Sequence, residues 1–93
     1  MVVALLEIEL YIPEARSLKE KRMVLRGLKD RLKTFNVAVA EVEHQDLWQR
    51  AGLAVVTVST ATDAADRLLA SVADEIERLE PGRITRTAVE FLT

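Results

Sequence analysis

The fold this sequence predicts is an α+β sandwich in the order βαββαβ, and three observations lead to it. Residues 2–12 alternate apolar and polar with period two, two later segments repeat apolar residues at spacings of three and four, and breakers and polar loops divide the chain into four strands and two helices. A four-stranded antiparallel sheet with two helices on one face satisfies that order, which is the split arrangement of the ferredoxin-like sandwich. At 93 residues, the chain is expected to make a single ferredoxin-like domain over residues 1–93, burying roughly 60–65% of the surface its unfolded form exposes.

The first strand places Ala4, Leu6, Ile8, Leu10 and Ile12 on one face and Glu7, Glu9 and Tyr11 on the other, and Pro13 ends it. Ser17 and Glu20 form a capping box ahead of a helix expected to run to about Thr34. Leu18, Leu25, Leu28 and Leu32 form its apolar stripe, and Lys21 intrudes on that stripe. FNVAVAEVEH, residues 35–44, reads as the second strand, and AGLAVVTVST, residues 51–60, as the third, joined by the polar loop QDLWQR. A second helix follows Thr62 and offers Ala65, Leu68, Leu69, Val72, Ile76 and Leu79 to the core; Pro81-Gly82 stops it before a last strand, residues 83–92. This topology gathers residues 13–22, 44–50 and 80–83 at one end of the domain, and loops held on a rigid sandwich are common places for function.

Composition excludes several classes of chemistry. With no cysteine, the chain has no disulfide framework, thiolate metal site or cysteine nucleophile. Glu7 and Glu9 interrupt the apolar N-terminus where a signal peptide needs a continuous apolar run, and no segment approaches the ~20 apolar residues of a membrane span, so a cytoplasmic protein without membrane contact is expected. His44 is the only histidine and lies near no Ser-His-acid set, while Gly27, Gly52 and Gly82 are scattered rather than gathered in a phosphate loop. No catalytic residue and no cofactor are assigned, and the reading is of a noncatalytic protein.

The charge distribution is uneven. The segment from Arg16 to Lys33 holds eight of the thirteen Lys and Arg residues but only two acids, Glu20 and Asp30, giving it a charge of +6 in a chain of net charge −2. Lys19, Arg22, Arg26, Lys29 and Lys33 follow one another at helical spacing, in a stripe about 110° from the leucines. Their like-charged neighbours oppose the helix by about 1–2 kcal/mol in total. The helix dipole favours only the last-turn members. A solvated face is the simplest reading of such a stripe; the functional alternative is contact with phosphate-rich RNA or an acidic protein.

Lys21 needs a carboxylate on the apolar side of the helix. Glu41, in phase with Val37 and Val39 on the second strand, is favoured over Glu43 for a structural ion pair. Glu41, Glu43, His44 and Asp46 come nearest to a metal cluster, but strand alternation points Glu43 and His44 apart and only one histidine is present, so no metal site is assigned. Trp48, the only tryptophan, reads either as a cap over apolar surface or as a partner anchor beside Arg50. The uncovered sheet face does not look like an RNA-recognition sheet, since the first strand offers only Tyr11 as an aromatic and the third offers none. Leu5, Leu53 and Val55 are expected to leave an apolar patch there, which suggests self-association through the sheet or an edge strand, as in a homodimer, or cover from another chain.

SLKEKR, Ser17 to Arg22, and FNVAVAEVEHQDLWQRA, Phe35 to Ala51, together with the opening strand, Pro13 and the closing EFL, make the chain resemble the YlxP-like family of small uncharacterised bacterial proteins. The resemblance spans nearly the whole chain. It implies a ferredoxin-like fold and, from the family's frequent gene neighbourhood beside translation-initiation and ribosome-maturation factors, a link to RNA or the ribosome. It brings no catalytic residues.

Capping and core packing account for Ser17, Leu18, Glu20, Val37 and Val39. They leave Lys19, Arg22, Gln45, Asp46, Gln49 and Arg50 unexplained. The sequence therefore points to an accessory protein, associated with RNA or the ribosome, that meets an anion through Arg16, Lys19, Arg22, Arg26 and Arg50 and a partner surface through Gln45, Asp46, Trp48 and Gln49. The alternative is a homo-oligomeric interaction or small-ligand module that works through the open sheet face.

Overall fold

A computed structural model describes residues 1–93. The elements are β1 (Val2–Tyr11), α1 (Leu18–Leu32), β2 (Ala38–Glu43), β3 (Arg50–Ser59), α2 (Thr62–Leu79) and β4 (Ile84–Phe91). The strands form one antiparallel sheet in the order β2-β3-β1-β4, with β1 paired to both β3 and β4. This is the ferredoxin-like α+β arrangement.

Each helix starts and stops for local reasons. Ser17 Oγ accepts the Glu20 amide at 3.1 Å, and Glu20 Oε2 accepts the Arg16 amide at 2.7 Å, so the capping box closes one residue further back than its usual form. Helix α1 ends at Leu32, two residues before the expected end, because the Phe35 amide turns back onto Leu32 O and Thr34 Oγ1 donates to Arg31 O. Helix α2 begins at Thr62 itself, with Ala61 as an N-cap that makes no side-chain bond. At its far end Gly82 adopts φ +75°, a backbone state that favours glycine, and its amide donates to Glu77 Oε2 at 2.7 Å.

The core lies between the helices and one sheet face. Ala4, Leu6, Ile8, Leu10 and Ile12 meet Leu25, Leu28 and Leu32 of α1 and Ala65, Leu69, Val72 and Ile76 of α2. Leu18, Leu68 and Leu79 are only partly buried. The β1/β3 register corrects one expectation. Leu53 faces Ile8 and Val55 faces Leu6, and directly opposed residues share a sheet face, so Leu53 and Val55 belong to the core rather than to the open face. Leu5 does face outward, and the register places Val3, Ala54, Val56 and Val58 beside it on the two central strands of the open face.

Strand β2 is shorter than expected. Residues 35–37 form a turn in which the Val37 amide donates to Phe35 O, while Thr57 Oγ1 donates to Asn36 O at 2.8 Å. No helix is long and apolar enough to cross a membrane.

Candidate functional site

Lys21 occupies a leucine position of α1 and is fully buried. Its Nζ lies 2.8 Å from Glu41 Oε2 and donates to the carbonyls of His44 at 2.7 Å, Arg50 at 3.2 Å and Gln45 at 3.4 Å. An ammonium has three protons, and here three carbonyls accept from it beside one carboxylate oxygen. Glu41 Oε2 accepts no hydrogen bond of regular geometry, so its compensation is the adjacent charge. One side chain thus ties both ends of the β2–β3 loop to α1.

The same loop is stitched to its other neighbours. Gln49 Nε2 donates to Pro13 O at 2.9 Å and Ala15 O at 3.4 Å, and the Ile12 amide donates to Gln49 O at 2.8 Å. Arg83 reaches Glu14 at 3.3 Å, and its carbonyl accepts the Tyr11 amide at 2.8 Å. The β1–α1, β2–β3 and α2–β4 connections therefore meet at one end of the sandwich.

Trp48 stands in the β2–β3 loop. It is 54% exposed, and together with Tyr11 at 44% and Leu47 at 42% it lines an open cleft of about 440 Å³ completed by Asp46, Gln49 and Arg50. Arg50 is held in part by Glu9, 3.4 Å away. Gln45 contributes its carbonyl to Lys21 and leaves its side chain exposed.

The basic face of α1 is not neutralised within the fold. Arg16, Lys19, Arg22, Arg26 and Lys29 form no ion pair, and only Lys33 of that helical stripe does, with Asp30 at 3.1 Å. Acids of α2 pair within their own helix, Asp63 with Arg67 and Glu75 with Arg78. The hydrogen bonds from Arg78 hold the Glu75 carboxyl below its ordinary range, with a smaller contribution from the charge of Arg31. Arg31 thus lies toward α2, whereas Arg22, Arg26 and Lys29 line a groove of about 340 Å³ on the β2 side with Leu25 and Glu41.

Glu43 and His44, expected to point apart, converge on Glu9. A β-bulge between Glu41 and Glu43 and a positive φ of 61° at His44 break the alternation. His44 Nε2 lies 3.0 Å from Glu9 Oε1 and 4.0 Å from Glu43 Oε2. Gly52 admits Glu43 to this position, since a Cβ on Gly52 would stand 2.8 Å from Glu43 Cβ. The His44 hydrogen bond, reinforced by the charges of Arg50 and Arg86, holds the Glu9 carboxyl below its ordinary range against the opposing effect of burial. These three side chains could offer ligands to a metal, their candidate atoms lying within 4.8 Å of one another, but two arginines already balance the carboxylates.

The family described as "Protein of unknown function (DUF503)" matches residues 3–89. The chain belongs to the DUF503 family. It is 37% identical over 93 residues to the "Uncharacterized protein YlxP" of Bacillus subtilis (strain 168), covering 92% of this chain and 97% of that relative.

Within this DUF503 chain, sequence reasoning missed Glu9 and Tyr11 as members of the loop end of the sheet. Their period-two position assigned them to the open face without showing which cross-strand neighbours they meet. Pairing Tyr11 with Arg50 and Glu9 with Gly52 brings them to the β2–β3 loop.

Proposed function

We propose that this DUF503 protein is a noncatalytic RNA-binding accessory protein of the translation apparatus, using the N-terminal part of α1 and the β2–β3 loop as its contact surface. One observation carries the reading: Arg16, Lys19, Arg22, Arg26 and Lys29 share one segment of an acidic protein without a single internal ion pair. The three like-charged helical pairs among them oppose the helix by about 0.6–1.5 kcal/mol in total. Phosphates relieve that repulsion and release counterions in doing so. The groove formed by Arg22, Arg26 and Lys29 supplies a concave track for a backbone. The ribosomal setting rests on the gene neighbourhood that the family resemblance implies.

Fluorescence anisotropy with labelled RNA at several salt concentrations tests this reading. Binding should weaken linearly in log salt, by about 0.7 per neutralised phosphate on a single strand and about 0.9 on a duplex. The Lys19→Glu/Arg22→Glu/Arg26→Glu variant should lose binding while keeping its fold. Undiminished binding by that variant would refute the reading.

The open face supports a second reading. Leu5, Ala54, Val56 and the half-exposed Val58 form an apolar strip that a second copy of the chain could cover. Sedimentation separates the two, because an apolar interface responds little to the salt that disrupts phosphate contacts.

A further inference from the structure

We propose that the cleft formed by Tyr11, Leu47, Trp48 and Arg50 is a base-stacking site for unpaired nucleotides, which makes single-stranded RNA the preferred form of the ligand. This inference rests on the RNA reading above and goes beyond it by assigning the Trp48 cleft a separate task from the basic helix.

Trp48 is more than half exposed, and tryptophan is a residue enriched at interfaces. Flexibility does not fit this loop. Lys21 Nζ binds the carbonyls of His44, Gln45 and Arg50, Gln49 fastens it to Pro13 and Ala15, and the Leu47 amide closes a turn onto His44 O at 3.0 Å. Trp48 is therefore presented from a backbone fixed on both sides. A surface organised before binding loses little freedom when its ligand arrives.

The cleft's chemistry suits a nucleobase. Its lining includes two aromatic rings, Trp48 and Tyr11, and the planar Arg50 guanidinium, the groups on which unpaired bases stack. Its volume of about 440 Å³ falls within the ~300–1,000 Å³ of small-ligand pockets. Asp46 and Gln49 are among its lining residues, and both carry side-chain oxygens able to accept from base-edge donors.

Charge selects RNA over an apolar peptide. Gln49 binds the Ala15 carbonyl, directly before Arg16, so the cleft adjoins the start of the unpaired cationic segment. A strand whose phosphates follow those cations can turn a base into the cleft. A duplex keeps its bases stacked within the helix and can use only the cations.

Trp48 is the only tryptophan, so its intrinsic fluorescence reports on this cleft alone. The full-length protein is titrated with single-stranded RNA of about 10 nucleotides and with a blunt duplex of the same sequence, reading tryptophan emission and the anisotropy of labelled RNA. The expected result is saturable quenching by the single strand and binding without quenching by the duplex. Trp48→Ala should weaken single-strand binding by about 5- to 150-fold and leave duplex binding unchanged, while Trp48→Phe restores most of the loss. Single-strand binding without quenching, unaffected by Trp48→Ala but abolished by reversing Lys19, Arg22 and Arg26, overturns the stacking site and leaves the RNA reading intact. Failure of both RNAs to bind overturns both. Quenching by an acidic peptide but not by RNA assigns the cleft to a protein partner and also overturns the proposal.

Discussion

Replacing Lys21 by methionine keeps the length of the side chain and its packing along the leucine stripe, but removes the ammonium that joins α1 to the β2–β3 loop. The substitution leaves Glu41 Oε2 shielded from solvent without a compensating charge, and takes the donor from the carbonyls of His44, Gln45 and Arg50. Breaking a buried ion pair by deleting one partner costs about 3–5 kcal/mol. The Glu41 side chain retains 15% exposure at the edge strand and can hydrate if the loop opens, which places the expected cost near the lower end, about 3 kcal/mol. Against a total stability of about 5–15 kcal/mol, the variant should still fold but melt about 12–24 °C lower. Removing both charges, as Lys21→Met/Glu41→Met, should reduce the loss to about 1–2 kcal/mol, because only the unpaired carbonyls then remain. Urea denaturation followed by far-UV circular dichroism measures these differences. Amide exchange should also accelerate at Leu47 and Ile12, whose bonds run through the loop. A single variant within ~0.5 kcal/mol of the wild type, with unchanged exchange at those two amides, would refute the assignment of Lys21 as the tie between helix and loop.

Gly52→Ala should destabilise the protein by about 1–3 kcal/mol through the 2.8 Å encounter with Glu43 Cβ, which thermal melting can detect; a variant as stable as the wild type would show that β2 can shift freely. Acid titration tests the Glu9 cluster. The native fold holds the Glu9 carboxyl below its ordinary range, so its stabilising contribution is present above that range and is lost as pH falls through the native-state value. Urea midpoints of the wild type should therefore fall more steeply below about pH 4 than those of Glu9→Gln, and parallel curves would contradict the assignment.

The order of elements was readable because each carries its own period and punctuation: the alternation before Pro13, the capping box at Ser17 and Glu20, and the Pro81-Gly82 stop. The facing of β3 was less accessible. LAVVTV, residues 53–58, offers apolar side chains to both faces, and only pairing Leu53 with Ile8 and Val55 with Leu6 decides which belong to the core. The Lys21–Glu41 contact had a signal, a lysine within a leucine stripe and a glutamate in phase with valines. The three carbonyls around Lys21 had none, since every residue carries one. Glu43 and His44 defeated strand alternation because a bulge and one left-handed residue leave no distinctive local pattern there. Whether the basic stripe was neutralised could not follow from spacing on one helix; it depended on which side of α1 faced α2. In the fold Arg31 takes that side, while Arg22, Arg26 and Lys29 turn toward β2.

The central claim is that the unpaired cations of α1 exist to meet phosphate, and the salt dependence of single-stranded RNA binding tests it most directly. A linear log–log plot should appear for the wild-type chain, and reversing Lys19, Arg22 and Arg26 should abolish binding or, where residual binding can be measured, flatten the slope by about 2. RNA binding of unchanged strength and slope in that variant, or no binding by the wild type even at low salt, would contradict it.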